Sequence, residues 1–335
     1  MNSYFSRCDN NIYKEKKIMF LLPLFFLVFI CVIASLMSCD RAPRKKVVGI
    51  INPNRGMVGT TLGFINGMEE SGYRENDNII YIKHETSDGI DDALAQMIDS
   101  KVDLIFTVTT PVTKKAKAAT STTKIPVVFA LHDPVGSGVI KSLVHPASNL
   151  TGVQLRGSTA KSLEWLLAVD PKIKNIYVPV KFDTKAARQS LEDLQKVAGQ
   201  VGVRLTVKEV KTEEELQGAL AGMGKDVDAI FILHSILIFS NVDKIVEASI
   251  VAGVPVASGS NLYESGVTVT FGSHSEYSGK QVSRLAVRLL QGASAENIPT
   301  EVSEFFLGVN LKTAKQAGIQ IPNEVLLQAD FIVRE

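Results

Sequence analysis

Two short stretches of this chain recur 125 and 129 residues further on, in the same order, and that recurrence limits the folds open to it. Lys101-Val102-Asp103-Leu104-Ile105-Phe106 returns as Asp226-Val227-Asp228-Ala229-Ile230-Phe231. Ile125-Pro126-Val127-Val128 returns as Val254-Pro255-Val256-Ala257. From Lys46 onward, short apolar runs alternate with amphipathic ones. Strands are expected at 47–51, 78–83, 103–108 and 126–131, with helices at 57–70, 89–100 and from Thr110-Pro111. Thr caps that last helix and Pro is tolerated at its first position. Asp133-Pro134 should open another helix. This βαβα rhythm implies parallel sheets covered by helices on both faces. The expected fold class is therefore α/β, with two Rossmann-like lobes related by duplication. Crossings near 152–158, 261–272 and 299–304 would make a three-strand hinge between them. They place 46–153 plus 264–300 in lobe 1, and 154–263 plus 301–335 in lobe 2.

The N-terminus has a different character. Lys14, Lys16 and Lys17 precede an almost wholly apolar run from Ile18 to Leu36. Leu36-Met37-Ser38-Cys39 then resembles a bacterial lipobox, in which the cysteine is lipidated and becomes the new N-terminus. The run is also just long enough for a spanning anchor. The cysteine, however, falls where the apolar run ends and a polar tether begins. The reading is a lipoprotein signal peptide over 1–38, lipidation at Cys39 and a tether over 39–45, which leaves the protein lipid-anchored in the cell envelope and facing the periplasm or the outside. No cysteine follows Cys39, so the mature part has no disulfide framework, Cys-based zinc site or thiol nucleophile. Of the 36 Lys and Arg and 35 Asp and Glu, four and two precede Cys39, so the mature part is close to neutral. Such a balance argues against nucleic-acid binding.

In open parallel sheets, ligands bind beyond the carboxyl ends of the strands. With two facing lobes those ends line one cleft, and the strand positions select its residues: Asn54 and Arg55, Thr110 and Thr113, His132 and Asp133, Asp183, His234 and Ser235, and Asn261. A helix start at Thr110 offers free N–H groups to a carboxylate, and the two threonine hydroxyls would add donors. Arg55 is a second candidate for an anion. His132 and Asp133 are adjacent on a strand end and point apart, which disfavours a catalytic pair. No HExxH, GxSxG or P-loop pattern occurs, no metal or cofactor is implied, and the chain is read as a non-enzyme. Trp165 lies on an apolar helical run and is read as core.

Over nearly its whole mature length the chain resembles the ABC-transporter substrate-binding proteins related to the tryptophan/tyrosine-binding lipoproteins. The resemblance is carried by Val102-Asp103-Leu104-Ile105 leading to Thr110-Pro111, by Ile125-Pro126-Val127-Val128-Phe129, and by Asp133-Pro134-Val135-Gly136. Asn149-Leu150-Thr151-Gly152 and Asn310-Leu311-Lys312-Thr313-Ala314-Lys315-Gln316-Ala317-Gly318-Ile319 add to it. It implies a periplasmic-binding-protein type I fold, a small-molecule ligand between the lobes, and a permease and an ATPase as partners of a monomeric receptor. The ligand expected is a small organic solute, an aromatic amino acid or a related carboxylate. The chain departs from amino-acid binders in two places, with Leu233-His234-Ser235 and Ser260-Asn261 where those tend to carry acidic or amide groups. A desolvated ammonium needs an anion or several acceptors, so these departures favour a carboxylate over an ammonium. The rival roles are an envelope sensor presenting solute to a membrane receptor kinase or cyclase, an enzyme on the same fold, and a LacI-type repressor, whose DNA-binding headpiece is here replaced by the lipobox.

Overall fold

The computed structural model describes residues 44–53, 58–86, 88–182 and 185–335. The expected signal peptide, Cys39 and most of the tether lie outside them. Residues from Lys46 to Glu335 form one compact unit; of the unit before it, only Arg44 and Lys45 are described. No helix among the described residues is long and apolar enough to cross a membrane.

The first sheet contains β1 (Lys46–Asn52), β2 (Ile79–Glu85), β3 (Leu104–Val108), β4 (Val127–His132), β5 (Leu150–Leu155) and the short β11 (Glu301–Val302). Their spatial order is β2-β1-β3-β4-β5-β11, and every pairing is parallel. The second contains β6 (Asn175–Val180), β7 (Arg204–Glu209), β8 (Ala229–Ile232), β9 (Val256–Ser258), β10 (Val269–Ser273), β12 (Phe305–Asn310) and β13 (Phe331–Val333). Its order is β7-β6-β8-β9-β10-β12-β13, parallel except where β10 meets β12. The first five strands of the two sheets share one order. The recurring stretches fall on β3 and β8, and on β4 and β9, so the duplication read from sequence matches the topology.

The strands alternate their side chains between two faces, as a doubly covered parallel sheet requires. In β3, Leu104, Phe106 and Val108 pack with Phe64 and Met68 of α1 (Val58–Glu70) and with Val282 and Leu285 of α9 (Ser275–Leu290). Ile105 faces the other way, toward Leu94 and Met97 of α2 (Ile90–Asp99) and Val112 and Ala116 of α3 (Thr110–Ala119). In the second sheet Phe231 joins Leu163 and Leu166 of α4 (Thr159–Val169) and Leu191 and Leu194 of α5 (Lys185–Gln200). Ile230 and Ile232 join Leu216 and Leu220 of α6 (Glu213–Ala221) and Ile245 of α8 (Val242–Ala252). Trp165 is half-buried against the first of these clusters, 6.5 Å from the Phe271 ring.

Helix starts follow their capping residues. Ser158 accepts the Lys161 amide ahead of α4, and Thr212 accepts the Glu215 amide ahead of α6. α1 and α9 approach unusually closely. A Cβ on Gly63 would strike the Glu276 carbonyl oxygen, and one on Gly279 the Thr60 carbonyl oxygen.

The chain passes between the sheets at 156–158, at His274 and at 303–304. The second passage comes later than the sequence reading placed it: Val269–Ser273 belongs to the second sheet, because it pairs with both β9 and β12. Likewise Glu301–Val302 stays with the first sheet, held by β5. The passages lie against one another. Gly157 bridges Gly272, and the Arg156 amide donates to Ser303 Oγ at 3.1 Å. Glycine at 157 and 272 lets both backbones reach the Gly259 carbonyl, where a Cβ would collide. One expected helix is missing. After Asp133-Pro134 the chain makes a turn over 134–138, because Asp133 Oδ1 takes the Gly136 amide at 2.8 Å and Gly138 adopts φ 77°.

Candidate functional site

The carboxyl ends of β3 and β4 in one sheet, and of β8 and β9 in the other, carry most of the described candidates. Thr109, not Thr110, precedes the first turn of α3, and it does so at φ 73° and ψ 148°. A β-branched residue rarely adopts positive φ, so strain is concentrated at this strand end. Thr110 is the first helical residue and half-buried, and the Thr109 side chain does not cap the helix. Thr113 departs from expectation. It is fully buried, with its hydroxyl 2.8 Å from the Thr109 carbonyl and 2.9 Å from the Thr107 hydroxyl. These bonds hold the strained turn, which takes Thr113 out of the ligand set.

Asp133 also departs from expectation. It is exposed at φ 45°, and its carboxylate closes its own turn onto the Gly136 amide. It therefore does not orient the neighbouring His132, in line with the argument against a catalytic pair. Asn54, Arg55 and Asp183 lie outside the described residues.

His132 and His234 are brought together. His132 is the last residue of β4, and His234 lies two residues beyond β8. Their ring centroids are 5.2 Å apart, at 57°. His132 is exposed at the end of β4, although neighbouring protein partly buries its ring, as for a side chain lining a cleft. That burial, and then the neighbouring His234, push the His132 imidazole down to about 4; a hydrogen bond to the Leu155 backbone acts the other way. His132 is therefore neutral at physiological pH. Phe239, at the end of the short α7 (Ile236–Phe239), packs edge-on against His234 with centroids 4.9 Å apart.

Ser235 precedes α7 and is 1% exposed, and its hydroxyl has no partner among the described residues. Asn261 is half-buried, with its Oδ1 3.3 Å from the Thr270 hydroxyl. Its Nδ2 is buried and likewise without a partner among the described residues. They are two of several buried side-chain atoms without a partner among the described residues, and these two follow the ends of β8 and β9. The site thus offers aromatic surfaces, a hydroxyl and an amide donor. The one carboxylate among the described candidates, Asp133, accepts the Gly136 amide of its own turn.

Sequence reasoning missed Thr109 and Phe239. The sequence puts the capping signal on Thr110, one residue after Thr109. Phe239 lies four residues beyond Ser235, the spacing that brings it back one helical turn, but that turn was not read as a helix.

Residues 47–333 match the family model described as ABC transporter substrate binding protein. A tyrosine-binding protein of Clostridioides difficile (strain R20291) is 28% identical over 265 residues, covering 77% of this chain and 76% of that relative. Two solved structures share the fold. One is the ligand-free, open structure of a substrate-binding protein with adhesive properties from Clostridium difficile; it has a TM-score of 0.75 at 23% identity, over 87% of this chain and all of that one. The other is an ABC domain in complex with L-Trp from Streptococcus pneumonia, with a TM-score of 0.70 at 23% identity and the same coverage. The family and these neighbours are solute-binding proteins rather than enzymes. With the match running through both sheets and all three passages between them, this chain belongs to the ABC transporter substrate-binding protein family.

Proposed function

We propose that this protein is the lipid-anchored, extracytoplasmic receptor of an ABC importer, and that it holds an aromatic carboxylate between two lobes. The lobes comprise residues 46–155 with 275–302, and 159–273 with 305–335. They hinge about the three passages, and the closed form delivers its solute to a permease driven by an ATPase. Cys39 carries the lipid, and the protein acts as a monomer. The observation that carries the ligand class is that Ser235 Oγ and Asn261 Nδ2, which follow the ends of β8 and β9, are buried without a partner among the described residues. Both can donate to a carboxylate, and His132 and Phe239 supply aromatic surface. The tyrosine-binding relative and the neighbour with L-Trp support an aromatic solute. The want of a described anion argues against a tightly held ammonium.

Calorimetry tests this with L-tyrosine, L-tryptophan and their deaminated propanoate analogues. The expected result is binding of the propanoates at least as tight as that of the amino acids, weakened about tenfold or more by Ser235→Ala. Tight binding of the amino acids with none of the analogues would refute it. Lipidation is tested by metabolic labelling with a fatty-acid analogue, which should mark the wild type and leave Cys39→Ala unlabelled.

A further inference from the structure

His132 belongs to the first sheet and His234 to the second, so their contact is one between layers. A cleft that opens must part them, and one that closes must press them together. Imidazole is the side chain whose charge changes between about pH 5 and 8. Two neutral rings can touch, whereas a proton on His132 is opposed by the His234 ring against it.

Among the described residues, the groups facing His132 are few. From β5 the Leu155 backbone bonds its ring. On its own turn, Asp133 directs its carboxylate to the Gly136 amide. From the second sheet comes His234, backed by the uncharged Phe239. Among the described residues no carboxylate stands against His132 to stabilise an imidazolium.

We infer that proton uptake at the His132–His234 contact opposes closure of the two layers, so that solute is held at neutral pH and released in mild acid. The inference rests on the proposed reading of the cleft as the solute site. It assigns to these two side chains a role beyond contact with solute.

The sign and size follow from linkage. Burial and His234 together lower His132 from the ordinary 6.5 to about 4 where the layers meet. A histidine whose pKa is depressed by closure favours the closed form fully above its ordinary value. That preference is lost as pH falls from there toward 4. If the parted ring titrates normally, closure becomes about tenfold less favourable between pH 7.5 and 5.5. A receptor in the envelope meets the pH of its surroundings directly, so this range is within its experience.

The test uses the full chain in detergent, with isotope-labelled histidine, and 3-(4-hydroxyphenyl)propanoate as the probe. Loss of a resonance in His132→Gln assigns its signal. With saturating probe, His132 should titrate well below its value in the probe-free protein, and His234→Gln should narrow that difference. With probe, wild-type affinity should fall about tenfold from pH 7.5 to 5.5. In His132→Gln the fall should be less than twofold, whatever that variant's affinity at pH 7.5. A His132 titration that the probe leaves unchanged would overturn the inference. So would an affinity that holds or strengthens at pH 5.5, as an imidazolium pairing with the probe's carboxylate would produce. If neither the probe nor L-tyrosine binds at pH 7.5, the ligand class is refuted, and small-angle scattering of the probe-free protein decides the inference: expansion from pH 7.5 to 5.5 in the wild type but not in His132→Gln supports it, and no expansion overturns it.

Discussion

The carboxylate of Asp103 stands to β1 as that of Asp228 stands to β6. Asp103 Oδ2 accepts the Val47 amide at 2.7 Å, and the Asp103 amide donates to the Val47 carbonyl at 2.7 Å. Asp228 Oδ2 accepts the Asn175 amide at 2.8 Å and the Lys174 amide at 2.9 Å, and its own amide donates to the Asn175 carbonyl at 2.8 Å. Each aspartate thus clamps the start of its sheet's first strand to the approach of the third, outside the regular ladder. The recurrence of Val-Asp in both halves has a mechanical cause, because that position must supply an acceptor where the ladder has not begun.

Removing the clamp should destabilise without touching the cleft, which lies at the opposite ends of these strands. Asp228→Ala leaves the buried Asn175 amide without its side-chain acceptor. We expect a loss of about 1–3 kcal/mol in chemical denaturation. Asp228→Asn, which keeps one acceptor oxygen, should lose less. Equal losses in both variants would show that charge rather than hydrogen bonding holds this corner.

The contact between α1 and α9 gives a second prediction. Gly59, Gly63 and Gly67 recur at four-residue spacing along α1, opposite Ser275, Glu276 and Ser283 of α9. Glycine is ordinarily a poor helix former, so three of them on one helix need a packing reason. At Gly63 the obstacle is backbone, which cannot swing aside as a side chain would. Gly63→Ala should therefore destabilise by about 1–3 kcal/mol through overpacking, although alanine is the better helix former. Gly199, with nothing near its missing Cβ, is the control: Gly199→Ala should hold or raise the unfolding midpoint.

The periodic parts of the fold were legible from residues alone, and the sheet membership of isolated segments was not. Both copies of the Val-Asp strand approach, and the Pro-Val strands that follow, announced themselves because buried parallel strands are apolar throughout and begin at fixed points. Val269–Ser273 gave no such signal. Its Thr-Phe-Gly-Ser suits either sheet, and only its pairing with β12 decides. Asp133-Pro134 misled because one dipeptide can open a helix or an Asx-type turn; Gly136 and Gly138 chose the turn. At the site, His132 and His234 were each visible as strand-end residues. Their contact was not, because it depends on how two distant halves of the chain meet. Thr113 was chosen for its hydroxyl, yet the strain at Thr109 gives that hydroxyl an internal partner.

The last prediction concerns what the cleft selects. Asn261 follows β9, where its Oδ1 meets the Thr270 hydroxyl and its Nδ2 remains buried without a described partner. An amide there favours an acceptor on the solute and gives an ammonium only a weak partner. Asn261→Asp changes few atoms and replaces the donor with an anion. That anion would repel a carboxylate and form a charge-assisted bond with an ammonium, an effect of about 1.5–3 kcal/mol. The variant should therefore gain affinity for L-tyrosine and lose it for 3-(4-hydroxyphenyl)propanoate, reversing their ratio by roughly tenfold or more. Calorimetry at pH 7.5 reads both, above the range in which His132 takes up its proton. If the aspartate weakens both ligands equally, Asn261 does not face the group that distinguishes them, and selection lies with Ser235 and the α3 start instead.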